Sequence, residues 1–231
     1  KADIDDERER REERLAELRE GVKSSDGFDA EDEEFDAQPG PELEALLPYY
    51  NKVEEEALKV AKKYFRGTFI ANSKDVHGQK LFEYELHGHT YRCYVDIYNE
   101  NEEEINIIEV KATTNSKYTD AKAGLFFSDK RGGTKYPLFV KEGNIWRLNA
   151  LASTKTDYAA KNYEAKKGLL LDRYSNYGKY PHDLAFQRYV IEHALRKAGD
   201  NRPVNFYLAV LNSEYAFDGT RDASGDCVYN E

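Results

Sequence analysis

The chain has 231 residues, of which 40% are hydrophobic and 34% charged, and a net charge of −10; this length allows one large domain or two small ones. No run approaches the ~20 apolar residues that a membrane-spanning helix needs, no secretory signal pattern is read, and two cysteines, Cys93 and Cys227, do not make a disulfide framework, so the expectation is an intracellular, cytoplasmic protein. The charge is uneven, because residues 1–46 hold 18 of the 44 acids and 7 of the 34 bases, a balance of −11, while the remainder is +1.

The first 46 residues divide into a charged helix candidate, Asp5 to Glu20, and an acidic linker with Gly and Pro, Val22 to Pro41. Such runs are usually disordered, solvating tails; the sharper reading is an arm that mimics nucleic acid and shields a basic groove. With Ile4, Leu15 and Leu18 as its apolar residues, the helix has too thin a stripe for a lasting coiled coil. A main domain is expected over residues 47–231. It opens on a helix from about Pro48 to Arg66, with Val53, Ala57, Val60, Ala61 and Tyr64 at helical spacing. Strands are expected at Thr68 to Ala71, Gln79 to Leu86, Tyr91 to Tyr98 and Ile105 to Thr113. His87 and His89 fall in the turn HGH, where exposed turn residues and a weak transition-metal pair are both compatible with the spacing.

The segment YRCYVDIYNENEEEINIIEVKATT, Tyr91 to Thr114, carries the chemistry. Alternation puts Cys93, Val95 and Ile97 on one face of the first strand and Arg92, Tyr94, Asp96 and Tyr98 on the other, with NENEEE as the reversal. In the second strand Ile107, Glu109 and Lys111 share a face opposite Ile108, Val110 and Ala112. Glu109 and Lys111 are then about 7 Å apart along the strand. Burying a carboxylate and an ammonium there is costly unless they are paired or bound to something. A hard divalent cation takes oxygen ligands, which Asp96, Glu109 and the Val110 carbonyl can supply, leaving Lys111 to face water or a phosphate oxygen. The plain alternative is a hairpin whose charges make ordinary cross-strand pairs.

Residues 114–181 form an insertion rich in lysine and tyrosine. It reads as hairpins around Arg131, Gly132, Gly133 and around Gly143, Asn144, then a helix, Asp157 to Lys167, and the aromatic run RYSNYGKYPHD. Basic residues interleaved with rings suit single-strand binding. The candidates are Lys130, Arg131, Lys135, Trp146, Lys166, Lys167, Arg173, Tyr174, Tyr177 and Tyr180. A second amphipathic stretch, His182 to Ala198, shows Phe186, Val190, His193, Ala194 and Lys197 along one side, and His182 at its start is placed for capping or for phosphate contact. A last apolar strand, Val204 to Leu211, follows. The tail from Asn212 shows no apolar closing element.

Asp96 with Glu109, Val110 and Lys111, set in the order helix, strands, helix, strand, resembles the PD-(D/E)XK nuclease superfamily over residues 48–212. The resemblance implies an α/β, restriction-endonuclease-like core, a mixed sheet flanked by helices with a large insertion before the second core helix. It implies metal-dependent hydrolysis of DNA, with Mg²⁺ or Mn²⁺ held by Asp96, Glu109 and Val110. Gln187, in HDLAFQRYVIEHAL, matches the glutamine that RecB-like exonucleases, the CRISPR-associated ones among them, carry on the helix after the E-x-K strand. Two positions depart from that pattern: Ile191 stands where those families have a tyrosine, and the first helix lacks a histidine, which leaves Glu54, Glu55 and Glu56, with Glu55 taken as the additional metal ligand. An iron–sulfur cluster, which some relatives hold with four cysteines, is not expected from two. EVKATT with Lys117 and Tyr118, DLAFQRYV and YLAVLNSEYAFDG are also similar to a family of uncharacterised mollicute proteins with a RecB-like region ahead of a further domain, which implies a C-terminal partner domain beyond this chain.

The expectation is therefore an exonuclease-like deoxyribonuclease of repair or defence with Asp96, Glu109, Lys111 and Gln187 as its catalytic set. DNA would be met by Lys130, Arg131, Arg173, Tyr174, Tyr180 and His182. The alternatives are RNA as substrate, or a catalytically inactive module of the same fold that binds nucleic acid or protein.

Overall fold

The computed structural model describes residues 41–71, 79–122, 124–143, 145–150, 156–225 and 227–229. The acidic tail and its helix candidate lie outside the described residues up to residue 40. The chain divides into two compact units, Lys1–Leu47 and Pro48–Glu231, and the sheet with both of its apolar layers belongs to the second.

The elements are α1 (Pro41–Tyr64), β1 (Thr68–Ala71), β2 (Lys80–Leu86), β3 (His89–Val95), β4 (Ile97–Glu100), β5 (Ile105–Thr114), α2 (Ser116–Thr119), β6 (Phe126–Ser128), β7 (Lys135–Pro137), β8 (Phe139–Glu142), β9 (Ile145–Leu148), α3 (Asp157–Leu171), α4 (Lys179–Lys197) and β10 (Val204–Leu211). The central sheet is mixed, in the order β1-β4-β5-β10. β1, β4 and β5 run antiparallel to their neighbours, while β10 lies parallel to β5. Helices flank it: Ala61 of α1, with Val53, Ala57 and Leu58, packs on Ile97, Ile108 and Val110, and Val190 and Ile191 of α4 pack against Tyr98, Ile105 and Ile107 on the opposite face. The fold is α/β with a mixed sheet between helices.

Two sequence expectations need correction here. Val60 and Tyr64 are about 40% exposed rather than inward, because the stripe that meets the sheet runs through Val53, Ala57 and Ala61, each one turn on, with Leu58 beside it. On α4 the buried face is Tyr180, Gln187, Val190 and Ile191, and Phe186 is 44% exposed. In the tail after Asn212 the largely exposed Tyr229 ring approaches Tyr215 and the exposed Phe217, and none of the three joins an apolar core cluster.

The expected strand Tyr91 to Tyr98 is two strands broken at Asp96. Val95 and Tyr98 join one apolar cluster and Ile97 the other, so the alternation inverts at the break. Before it, β3 pairs with β2 as a hairpin whose turn, His87 and Gly88, has φ of 50° and 80°. Two successive positive φ values match the twist of a two-residue hairpin; His87 is an exposed turn residue, and His89, also exposed, is the first residue of β3.

A buried polar row crosses the sheet. Asn106 Nδ2 donates to Asn99 Oδ1 (3.0 Å), Asn205 Nδ2 donates to Asn106 Oδ1 (3.0 Å), and Asn99 Nδ2 donates to the carbonyls of Arg66 and Thr68. Asn99, Asn106 and Asn205 are register partners on β4, β5 and β10, and Glu104 accepts from both Asn106 and Asn205. A one-residue slip of β5 would break both amide–amide contacts, and a slip of β4 or β10 would break one, so the row favours this register. The insertion has a core of its own, built from Tyr118, Leu125, Phe127, Leu138 and Leu170, with Tyr136, Tyr163 and Tyr177 around it and Leu208 of β10 against it.

Replacing Asn106 by Ala removes the central member and leaves the buried Asn99 Oδ1 without its donor, while Asn205 Nδ2 keeps only Glu104. Urea denaturation of Asn106→Ala is expected to show a loss of about 2–4 kcal/mol with little change in the slope of the transition.

Candidate active site

β5 begins in apolar surroundings and ends in charge. Ile105 to Ile108 are buried, and the next residue inward on the α4 face is Glu109, 7% exposed. Its carboxylate is held from two sides. Gln187 Nε2 donates to Glu109 Oε2 at 2.5 Å, and Lys111 Nζ lies 3.3 Å from Glu109 Oε1. Gln187 is mid-helix and buried, not a boundary residue, and its Oε1 finds no hydrogen-bond donor among the described residues.

Asp96 reaches β5 from the break between β3 and β4. Its Oδ2 accepts the Val110 N–H at 2.8 Å and its Oδ1 accepts from Gln79 Nε2 at 3.2 Å. The N–H and C=O of one strand residue leave the same edge, so the Val110 carbonyl leaves β5 on the Asp96 side, where the β4 pairing has ended at Ile97. Burial and the Glu109 charge push the Asp96 carboxyl up to about 8, against the Val110 hydrogen bond, with Glu54 adding to the rise and Lys111 opposing it. Glu54 is itself raised, by burial and then by Glu109. On α1, then, Glu54 is a carboxylate whose charge bears on Asp96, one residue before Glu55, which the sequence favoured. Helical spacing carried this signal, since Glu54 is three and four residues before Ala57 and Leu58 on the sheet-facing side. Glu56 is taken up by Lys52 and Lys59 at 3.6 and 2.8 Å.

The donor set fits Mg²⁺ or Mn²⁺. Its members are hard oxygens, and Glu109 and Glu54 add their charge to a rise at Asp96 that burial leads. A cation here would rest on Asp96, Glu109, the Val110 carbonyl and water, a mode usual for Mg²⁺.

Beside the carboxylates, the Tyr180 ring carries three lysines. The Nζ atoms of Lys111, Lys117 and Lys179 lie 5.6, 4.1 and 5.5 Å from its centroid. The two longest distances add to about 11 Å, which bounds the separation of any two. Lys117 and Lys179 escaped the sequence reading because their convergence depends on where α2 and α4 begin in space.

The other expected nucleic-acid residues scatter. Tyr180 is 1% exposed and cannot stack on a base, because it is the buried start of the α4 face. Tyr177 packs on the core of the insertion. Lys130 and Arg131 are exposed on the β6–β7 loop, Lys135 on β7, and Trp146 on β9 near Lys141. Lys166 and Lys167 are partly buried on α3, Lys167 beside Glu164. Arg173 lies 5.1 Å from the exposed Tyr174 ring before α4, and His182 is exposed in the first turn of that helix. Both cysteines are free thiols. No described helix is long and apolar enough to cross a membrane. Comparison with protein-family models, with curated proteins and with solved structures finds no match.

The Asp96 shift has a consequence for stability. A carboxyl that takes its proton near pH 8 when folded, but near 3.8 when unfolded, binds more protons in the native state between those values. Its stabilising contribution is full below about pH 4 and is lost as pH rises through 8. In metal-free protein, Asp96→Asn is expected to melt higher than wild type at pH 8 by at least ~1 kcal/mol, roughly 2–4 °C for a domain of this size. The gain should shrink towards pH 4, and melting curves across that range check it.

Proposed function

We propose that this chain is a divalent-metal-dependent nuclease of the PD-(D/E)XK type, RecB-like in its glutamine, that hydrolyses DNA phosphodiester bonds with exonuclease character. The observation that carries this reading is the convergence of Asp96, Glu109 and Lys111 on the open end of β5, with the Val110 carbonyl on the same side. Two further features support it: the order α1, β1, β4, β5, α4, β10 around one mixed sheet, and the Gln187 contact with Glu109.

Asp96, Glu109 and the Val110 carbonyl would hold Mg²⁺ or Mn²⁺, which when bound offsets phosphate charge and lowers the pKa of water. The protein's own side chains do the rest. The Val110 N–H and Gln79 aim Asp96. Gln187 fixes one Glu109 oxygen, leaving the other beside Lys111. Lys111, a flexible ammonium beside that oxygen, is placed to move onto a phosphate oxygen or to hold the attacking water, and so stabilises charge that grows in the transition state. Gln187 acts through Glu109 and is a positioning residue.

Manganese titration by calorimetry, run beside cleavage of labelled single- and double-stranded DNA and of RNA, tests the reading. Wild type is expected to bind Mn²⁺ and cleave DNA. Asp96→Ala and Glu109→Ala should lose both, with cleavage down by at least ~10³-fold, about 4 kcal/mol of transition-state stabilisation, and Lys111→Ala should keep metal while losing ~10²-fold in rate. A wild type that neither binds Mn²⁺ nor cleaves any substrate would overturn the proposal in favour of a non-catalytic binding module.

A further inference from the structure

The hydrolytic reading uses one of the three lysines on Tyr180 and leaves two unexplained. Lys117 comes from α2, directly after the strand that carries Glu109 and Lys111, and Lys179 is the first residue of α4. Their Nζ atoms are 4.1 and 5.5 Å from the same ring centroid that Lys111 approaches at 5.6 Å. Tyr180 is buried, so its ring is a fixed floor and not a stacking surface. Attraction of each cation to a ring is modest, and Lys111 also has Glu109 3.3 Å away. Both lysine side chains remain partly accessible, so solvent or a ligand can reach them. A preset group of ammoniums is what a chain of phosphates binds, each acting as a point charge.

We infer that Lys117 and Lys179, seated on Tyr180, form a second phosphate site that holds the backbone phosphate next to the one presented to Lys111 and the carboxylates. The inference rests on the nuclease reading for its orientation, and it moves the main anion contact from the exposed loops at Arg131 and Arg173 to the edge of the catalytic group. The ring sets where the ammoniums sit, so the hydroxyl of Tyr180 is not needed.

Anisotropy of a short fluorescein-labelled single-stranded oligonucleotide, measured in EDTA so that nothing is cleaved, tests the site in the whole chain. Lys117→Gln/Lys179→Gln should bind about tenfold more weakly, and the slope of log affinity against log salt should fall by about 0.7, the value for neutralising one phosphate fewer on a single strand. Lys117→Arg/Lys179→Arg and Tyr180→Phe should retain binding, and Lys130→Gln/Arg131→Gln should weaken it less than the double variant does. If the double variant does not fold, the single variants Lys117→Gln and Lys179→Gln carry the test. Affinity within twofold of wild type with an unchanged salt slope, in a variant that melts like wild type, overturns the site. Cleavage in Mg²⁺ is read in parallel. Weakened binding by the double variant of a protein that cleaves nothing upholds the phosphate site and removes the nuclease reading, whereas cleavage with unchanged binding does the reverse.

Discussion

The hydrogen bond from the Val110 N–H to Asp96 is the constraint around which this molecule is arranged. It takes the backbone donor that a longer β4 would have used, so pairing along that edge of β5 stops at Ile108. The chain must therefore bend at Asp96, and the β2–β3 hairpin departs from the sheet to lie over α4, where Phe82, Cys93 and Val95 join Val190 and Ile191. The same bend inverts the side-chain alternation. That inversion lets Val95 and Tyr98 face one layer while Ile97 faces the other. A carboxylate at this point is thus a structural device, and a β5 edge whose Val110 carbonyl leaves toward Asp96, past the end of the β4 pairing, follows from it.

Opposing forces set the character of the site. Glu109 is held by an amide and an ammonium, and its burial is tolerable for that reason. Asp96 has hydrogen bonds, but burial and then the Glu109 charge raise its affinity for a proton against the Val110 hydrogen bond and Lys111. The carboxylates are gathered closer than their own stability favours. What holds them there is remote: the apolar layers on both faces of the sheet, and the Asn99–Asn106–Asn205 row that supports the register of β4, β5 and β10. Arg202 reinforces the far end by binding Glu100, Asp200 and the Asn101 carbonyl across the β4–β5 turn.

How much was legible in the sequence depends on the range of each interaction. β1 and β10 fall at Thr68–Ala71 and Val204–Leu211 as read, because their apolar runs are bounded by turn residues that act locally. Glu109 and Lys111 sharing a face follows from the two-residue period alone. The break at Asp96 was not legible, since a residue that accepts its hydrogen bond from a strand fourteen positions later looks, locally, like one more alternating position. Glu54 was within reach of the helical period but was obscured by two adjacent glutamates. The rings of the insertion were not legible where they pack: Tyr177 and Tyr180 are in a composition that suits stacking, and only the fold shows that Tyr180 is enclosed and Tyr177 half-buried against the insertion's core.

The rotation of α4 ties these features together. Tyr180, Gln187, Val190 and Ile191 occupy one face because residues three, four and seven apart on a helix line up. Its start is set by Gly178, where a Cβ would meet the Asp172 carbonyl oxygen, so no larger residue fits without moving the loop. Its middle is set by Val190 and Ile191 in the core. Between these two anchors lie the ring that gathers the lysines and the amide that holds Glu109. A turn of the helix by one residue, about 100°, would bring the exposed Phe186 inward and carry Gln187 out. The donor to Glu109 and the floor beneath Lys117 and Lys179 would then be lost in the same movement, so the acidic and basic halves of the site depend on one packing decision.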